Sequence, residues 1–151
     1  MRIVDTHTHL PGTLLGSCPR PVRAIREEFE KAGLTAAWFM TVDGLLADPG
    51  PHNDRLAAAV AAHRDFFVPF CTVDPHAGVK AGIRELERSK SKLGMKGLKL
   101  HPWLQAFSLT NPAVVPILRR AGELGMPVLF HDGTPPYSDP LQIAAAAEKV
   151  G

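Results

Sequence analysis

The run MRIVDTHTHL opens the chain and places His7 and His9 two residues apart at the end of a short apolar stretch. On an extended backbone, residues i and i+2 project to the same side, so two imidazoles in this spacing can converge on one ion. A third histidine, His131, stands in a similar position within VLFHDGT, again directly after an apolar run. Three neutral imidazoles and a water make a well-known divalent-cation site, with bonds of about 2.0–2.1 Å to nitrogen for zinc. His7, His9 and His131 are therefore the candidate metal ligands. Asp5 lies in phase with the first two and is the candidate acceptor that orients an imidazole. Lys99 and His101, two apart in GLKLHPW, share a side of another strand, and with Trp103 they are candidate contacts for a small substrate.

These residues must be carried by elements that bring remote parts of the chain together. Runs rich in Val, Ile, Phe and Trp centre near Val4, Trp38, Phe70, Leu98 and Leu129, and recur about every 31 residues with helix-period segments between them. The helices are predicted over Val22 to Ala32, Asn53 to His63, Val79 to Ser89, Pro112 to Leu124 and Pro140 to Val150. Asn111 reads as a cap with Pro112 at the first helical position; Gly33 and Gly125 read as helix stops.

Five βα units fit two architectures: a flavodoxin-like open sheet, or the first five units of a (β/α)₈ barrel of about 250 residues. Metal sharing separates them. In an open sheet of order 2-1-3-4-5, strands one and five lie about 14 Å apart with parallel side chains. In a barrel, the C-terminal rims of all strands face one axis. The expected fold is thus a partial barrel, a single unit over residues 1–151.

Composition agrees with an ordinary globular chain: 45% hydrophobic and 21% charged residues, with a formal net charge of +2. That charge is too small to suggest nucleic acid, and the longest apolar block, Leu56 to Ala62, is too short to span a bilayer. Cys18 and Cys71 form neither a disulfide framework nor a CxxC knuckle and read as plain thiols, consistent with a cytoplasmic setting.

Four separated segments, DTHTHL, FFVPFCTVDP, GLKLHPW and GMPVLFHDGT, together resemble the amidohydrolase-2 family of metal-dependent amidohydrolases. The resemblance covers nearly the whole chain in the correct order. It implies a (β/α)₈ barrel, His7 and His9 as first-strand ligands, His131 as the fifth-strand ligand, and zinc or another divalent metal. The activities it implies are hydrolysis of a small organic amide, lactone or ester by metal-activated water, or non-oxidative decarboxylation of an aromatic or unsaturated acid. The family's sixth-strand histidine and eighth-strand aspartate have no counterpart here. The general base is therefore expected in a C-terminal part not present, the catalytic residues are unassigned, and a catalytically inactive metal-binding or self-associating fragment is the third reading. Exposed strand edges in such a piece lead to the expectation of a homo-oligomer.

Overall fold

A computed structural model describes residues 1–12 and 20–151. Cys18 lies outside the described residues. Strand β1 (Val4–Leu10) leads into helix α1 (Val22–Lys31), whose apolar stripe buries Ile25 while Arg23–Glu27 and Arg26–Glu30 pair at i,i+4 on its outer face. Strand β2 (Ala36–Thr41) is buried except at Trp38, as befits a parallel strand covered on both faces.

A short helix α2 (Asp43–Leu46) precedes α3 (Pro49–Ala59). Helix α3 begins four residues before the predicted Asn53, because the Asp48 side chain accepts from the Gly50 N–H and Pro49 is pre-set for the first turn. It also ends earlier; residues Ala61–His63 form a separate 3₁₀ turn.

Strand β3 (Phe67–Cys71), helix α4 (Val79–Ser91), strand β4 (Gly97–Leu100), helix α5 (Val114–Glu123), strand β5 (Val128–Phe130) and helix α6 (Pro140–Glu148) complete the alternation. Helix α5 starts at Val114 rather than at Pro112. Asn111 Oδ1 does accept the Ala113 N–H, but it closes a turn ahead of the helix instead of capping it. Asp139 caps α6 by accepting from the Leu141 and Gln142 N–H groups. Gly33 and Gly125 sit at φ +86° and +63° just past α1 and α5, the left-handed conformation a helix stop requires. Among the described residues no helix is long and apolar enough to cross a membrane.

The five strands are all parallel in the order β1-β2-β3-β4-β5. This simple succession is that of a barrel wall, not the 2-1-3-4-5 of the open-sheet alternative. Alternation divides each strand. Ala37, Phe39, Phe67, Cys71, Leu98 and Leu100 belong to the buried core, which also takes in Leu56, Leu86, Ile117 and Ala121 from the helices. Phe39 stacks on Phe67 at 4.5 Å between centroids. The intervening residues Trp38, Phe70 and Lys99 line the concave side, where Trp38 stacks on Phe70 at 4.7 Å.

The curl of the sheet can be read from one contact. Strands β1 and β4 stand three places apart, about 14 Å in a flat sheet, yet Lys99 Nζ lies 3.3 Å from His7 Nε2. The wall therefore bends around these two side chains. The result is a curled half-barrel with its C-terminal rim at the ends of β1 to β5.

Candidate functional site

Each candidate residue reaches the rim from a strand or its exit. His7 is the middle residue of the seven-residue β1, short of the strand end its sequence suggests, and His9 lies two residues further on, with ring centroids 5.0 Å apart. Lys99 is the third residue of the four-residue strand β4 and is fully buried; His101 follows that strand and is 7% exposed. His131 follows β5, held by its N–H donating to the Leu100 carbonyl at 2.9 Å. Its ring stacks on His101 with centroids 3.8 Å apart. Four imidazoles and one ammonium from three strands thus share a mouth.

The electrostatics of this mouth follow from burial and from the shared positive charge. Burial lowers the pKa of His9 to about 4, with His7, Lys99 and His131 adding to the effect. His101 falls to about 3, again chiefly through burial, then through His131 and Lys99. His7 and His131 are lowered by the same causes, partly opposed by Asp5 and Asp132 respectively. Burial alone brings Lys99 down to about 8. At neutral pH the imidazoles are uncharged and Lys99 carries the positive charge, donating to the His7 Nε2 lone pair.

In donor chemistry this set fits a divalent cation, since neutral imidazoles keep the lone pair a metal needs. Lys99, able to give up its proton near pH 8, tolerates a second positive charge nearby. The ring arrangement differs from the expected triad, however. Among the described residues, no three His, Cys, Asp or Glu side chains are grouped to hold an ion. The His131 ring lies against His101 instead of closing a set with His7 and His9. Asp5 also behaves differently from expectation: its Oδ1 accepts the main-chain N–H of His7 at 2.9 Å, bracing the strand rather than an imidazole ring.

Trp103 lies on the rim, 54% exposed with its ring 6.2 Å from His101, and offers an aromatic wall. Phe107, from the same loop, is part of the core. His76 belongs to the β3 exit loop, where its Nε2 lies 2.9 Å from the Gln105 carbonyl. Gln105 is a part of this site that sequence spacing does not reveal. It is buried, and it joins the exits of β3 and β4. Its only sequence signal is an amide four residues after His101.

A pH effect follows. His9 and His101 titrate in the fold near 4 and 3 but near 6.5 in the unfolded chain, so between pH 6.5 and 4 unfolding takes up protons that the fold refuses. The contribution of these two histidines is therefore full above pH 6.5 and is lost as the pH falls through that window, by up to about 2.7 kcal/mol per pH unit at the steepest. Urea unfolding in chelator at pH 7, 5.5 and 4.5 should show this slope, and His9→Asn should flatten it by roughly half. Parallel curves for the two proteins would remove the assignment.

Comparison with known proteins places this geometry in context. No curated protein sequence matches the chain. Among solved structures, a dihydroxybenzoic acid decarboxylase from Polaromonas sp. JS666, with manganese and 2-nitroresorcinol bound, superposes with TM-score 0.72 at 16% identity over 99% of this chain and 60% of its own. A 5-carboxyvanillate decarboxylase from Novosphingobium aromaticivorans, also with manganese, gives 0.63 at 25% identity over 85% and 39%. A protein from Acinetobacter baumannii assigned as a 2-pyrone-4,6-dicarboxylic acid hydrolase, with citric acid bound, gives 0.63 at 18% identity over 91% and 51%. The chain spans about half the length of the solved structures it matches. The amidohydrolase family model matches residues 4–150, and with that match nearly end to end the chain belongs to the amidohydrolase family.

Proposed function

We propose that the rim is the cation- and substrate-binding part of an enzyme active site acting on a small organic carboxylic acid. The observation that carries this reading is Lys99: a fully buried ammonium, placed 3.3 Å from the His7 imidazole. Among the described residues burial is the one influence on its charge and no carboxylate pairs with it, so this cation stands ready for an anion brought from outside.

His7, His9 and His131 are the residues that would hold a divalent cation, zinc or manganese. Such a cation, when bound, lowers the pKa of water and polarises a substrate oxygen. The chain's own residues do the rest of the binding. Lys99 holds the substrate carboxylate, the uncharged imidazoles add no competing positive charge, and Trp103 offers its face to an apolar or aromatic body.

Decarboxylation of an aromatic acid is the reaction class favoured by the manganese-bound neighbours, whose names specify aromatic carboxylic acids. Hydrolysis of a lactone, amide or ester is the second reading, supported by the Acinetobacter neighbour. The acids named for both kinds of neighbour carry carboxylates. Incubation with Mn²⁺ or Zn²⁺ and a panel of dihydroxybenzoates, 5-carboxyvanillate and 2-pyrone-4,6-dicarboxylate tests both at once. CO₂ release supports the first, ring opening the second, and neither binding nor turnover of any acid contradicts the proposal. Because β1 and β5 end the sheet, self-association through those edges is the proposed quaternary arrangement.

A further inference from the structure

The turn after β4 contains more hydrogen bonding than a rim loop needs. The Leu104 N–H points at His101 Nδ1, 3.3 Å away. A backbone N–H can only donate, so Nδ1 must keep its lone pair, and the ring proton must sit on Nε2. The turn that holds Leu104 there is closed twice by one residue. Gln105 N–H donates to the His101 carbonyl at 2.9 Å, and Gln105 Oε1 accepts the His101 N–H at 2.8 Å. The same amide uses its NH₂ group on the segment just past β3, donating to the Val73 carbonyl at 2.8 Å and to Thr72 Oγ1 at 3.5 Å. His76 Nε2 then donates to the Gln105 carbonyl. Gln105 is 8% exposed, and every polar atom it has is committed to holding the exits of β3 and β4 at a fixed spacing.

We propose that Gln105 is a positioning residue: by closing the turn after β4 it locks His101 in the tautomer protonated at Nε2, making His101 a hydrogen-bond donor on the rim and not a cation ligand. A neutral imidazole ligates a metal through an unprotonated nitrogen. His101 has its ring lone pair turned back to Leu104, which leaves the Nε2–H as the polar group of the ring free to donate. That N–H suits an oxygen of the substrate carboxylate, beside Lys99. The assignment rests on the proposed function for what the donor meets, but the tautomer and its clamp stand on hydrogen-bond geometry alone.

The test is ¹⁵N NMR of histidine-labelled full chain, reading which ring nitrogen of His101 carries the proton, together with Mn²⁺ titration. Wild type is expected to show His101 protonated at Nε2 only. Gln105→Leu is expected to give a mixture of tautomers, whereas Phe107→Leu, an equally buried change in the same loop that breaks no bond to His101, is expected to leave the tautomer as in wild type. If Gln105→Leu does not fold, Gln105→Asn, one methylene shorter, makes the same comparison. His101→Asn is expected to change Mn²⁺ affinity by less than about twofold, against about tenfold or more for loss of a residue that serves the metal. A proton on Nδ1 in wild type, an unchanged tautomer in the folded Gln105 variant, a mixture in Phe107→Leu, or a tenfold loss of Mn²⁺ in His101→Asn would each overturn the proposal. Failure of wild type to bind Mn²⁺ at all would count against the proposed function, and the NMR comparison would still decide the clamp.

Discussion

Lys99→Met is expected to make the protein more stable and less able to bind a carboxylic acid. Burial lowers the Lys99 pKa from 10.5 to about 8, so at neutral pH the fold holds an ammonium it would hold more easily as an amine. Two and a half pKa units correspond to about 3 kcal/mol, and a methionine of similar length removes that cost while filling the space. The gain should depend on pH in a definite direction. The lysine titrates lower in the fold than in the unfolded chain, so wild-type stability rises between pH 8 and 10.5, and the advantage of the methionine shrinks over the same range. Urea unfolding of both proteins in chelator at pH 7 and pH 10 measures this. Binding of benzoate at pH 7 should meanwhile weaken by about 100-fold or more, the loss of one charge-assisted contact in a dry site. A methionine variant that is less stable than wild type, or that binds benzoate equally well, would show that Lys99 serves the fold and not the ligand.

Gly97→Ala should be the most damaging single methyl in the wall. Gly97 faces Phe70 in the β3–β4 register, and an added Cβ would overlap the edge of the Phe70 ring. The ring has nowhere to go: it is 1% exposed and stacked on Trp38. Overpacking of this kind costs about 2–3 kcal/mol. The strand would also shift, and Lys99 lies two residues along it on the same side, so the rim should loosen with the wall. Phe70→Leu made together with Gly97→Ala should recover part of the loss, because it removes the obstructing ring edge. A double variant whose loss equals the sum of the two single losses would show that the two residues do not meet.

The alternation of β-branched and aromatic runs with helix-period segments was legible in the sequence because those signals are local. So was the placing of His9, Lys99 and His101 near strand ends, where a two-residue period decides which side chains share a side, although His7 lies at the middle of β1. The barrel-like order followed from asking which sheet lets strands one and five share an ion; the curl is present, but the contact that displays it joins β1 to β4, Lys99 to His7, while His131 lies against His101. What was not legible depended on partners far away in the chain. Gln105 looks like a loop amide until Val73 and Thr72 are beside it. Asn53 was read as the start of a helix, but it lies inside α3, buried, with its amide bonded to both the N–H and the carbonyl of Thr72. The stack of His131 on His101 could not be anticipated either, since side-chain rotation leaves no trace in spacing. Asp5 shows the same limit in miniature: the spacing aligned it with His7 and His9, but a backbone N–H two residues away was the nearer partner.

The proposed cation site would take its ligands from His7, His9 and His131. Mn²⁺ added to ¹⁵N-histidine-labelled protein tests it, because a paramagnetic ion erases the ring signals of the histidines nearest to it. One equivalent should remove the His7, His9 and His131 signals together and leave those of His52 and His63 sharp, with His131→Ala abolishing the effect at the same Mn²⁺ concentration. Uniform broadening of all seven histidines, or saturable binding that His131→Ala leaves untouched, would contradict it.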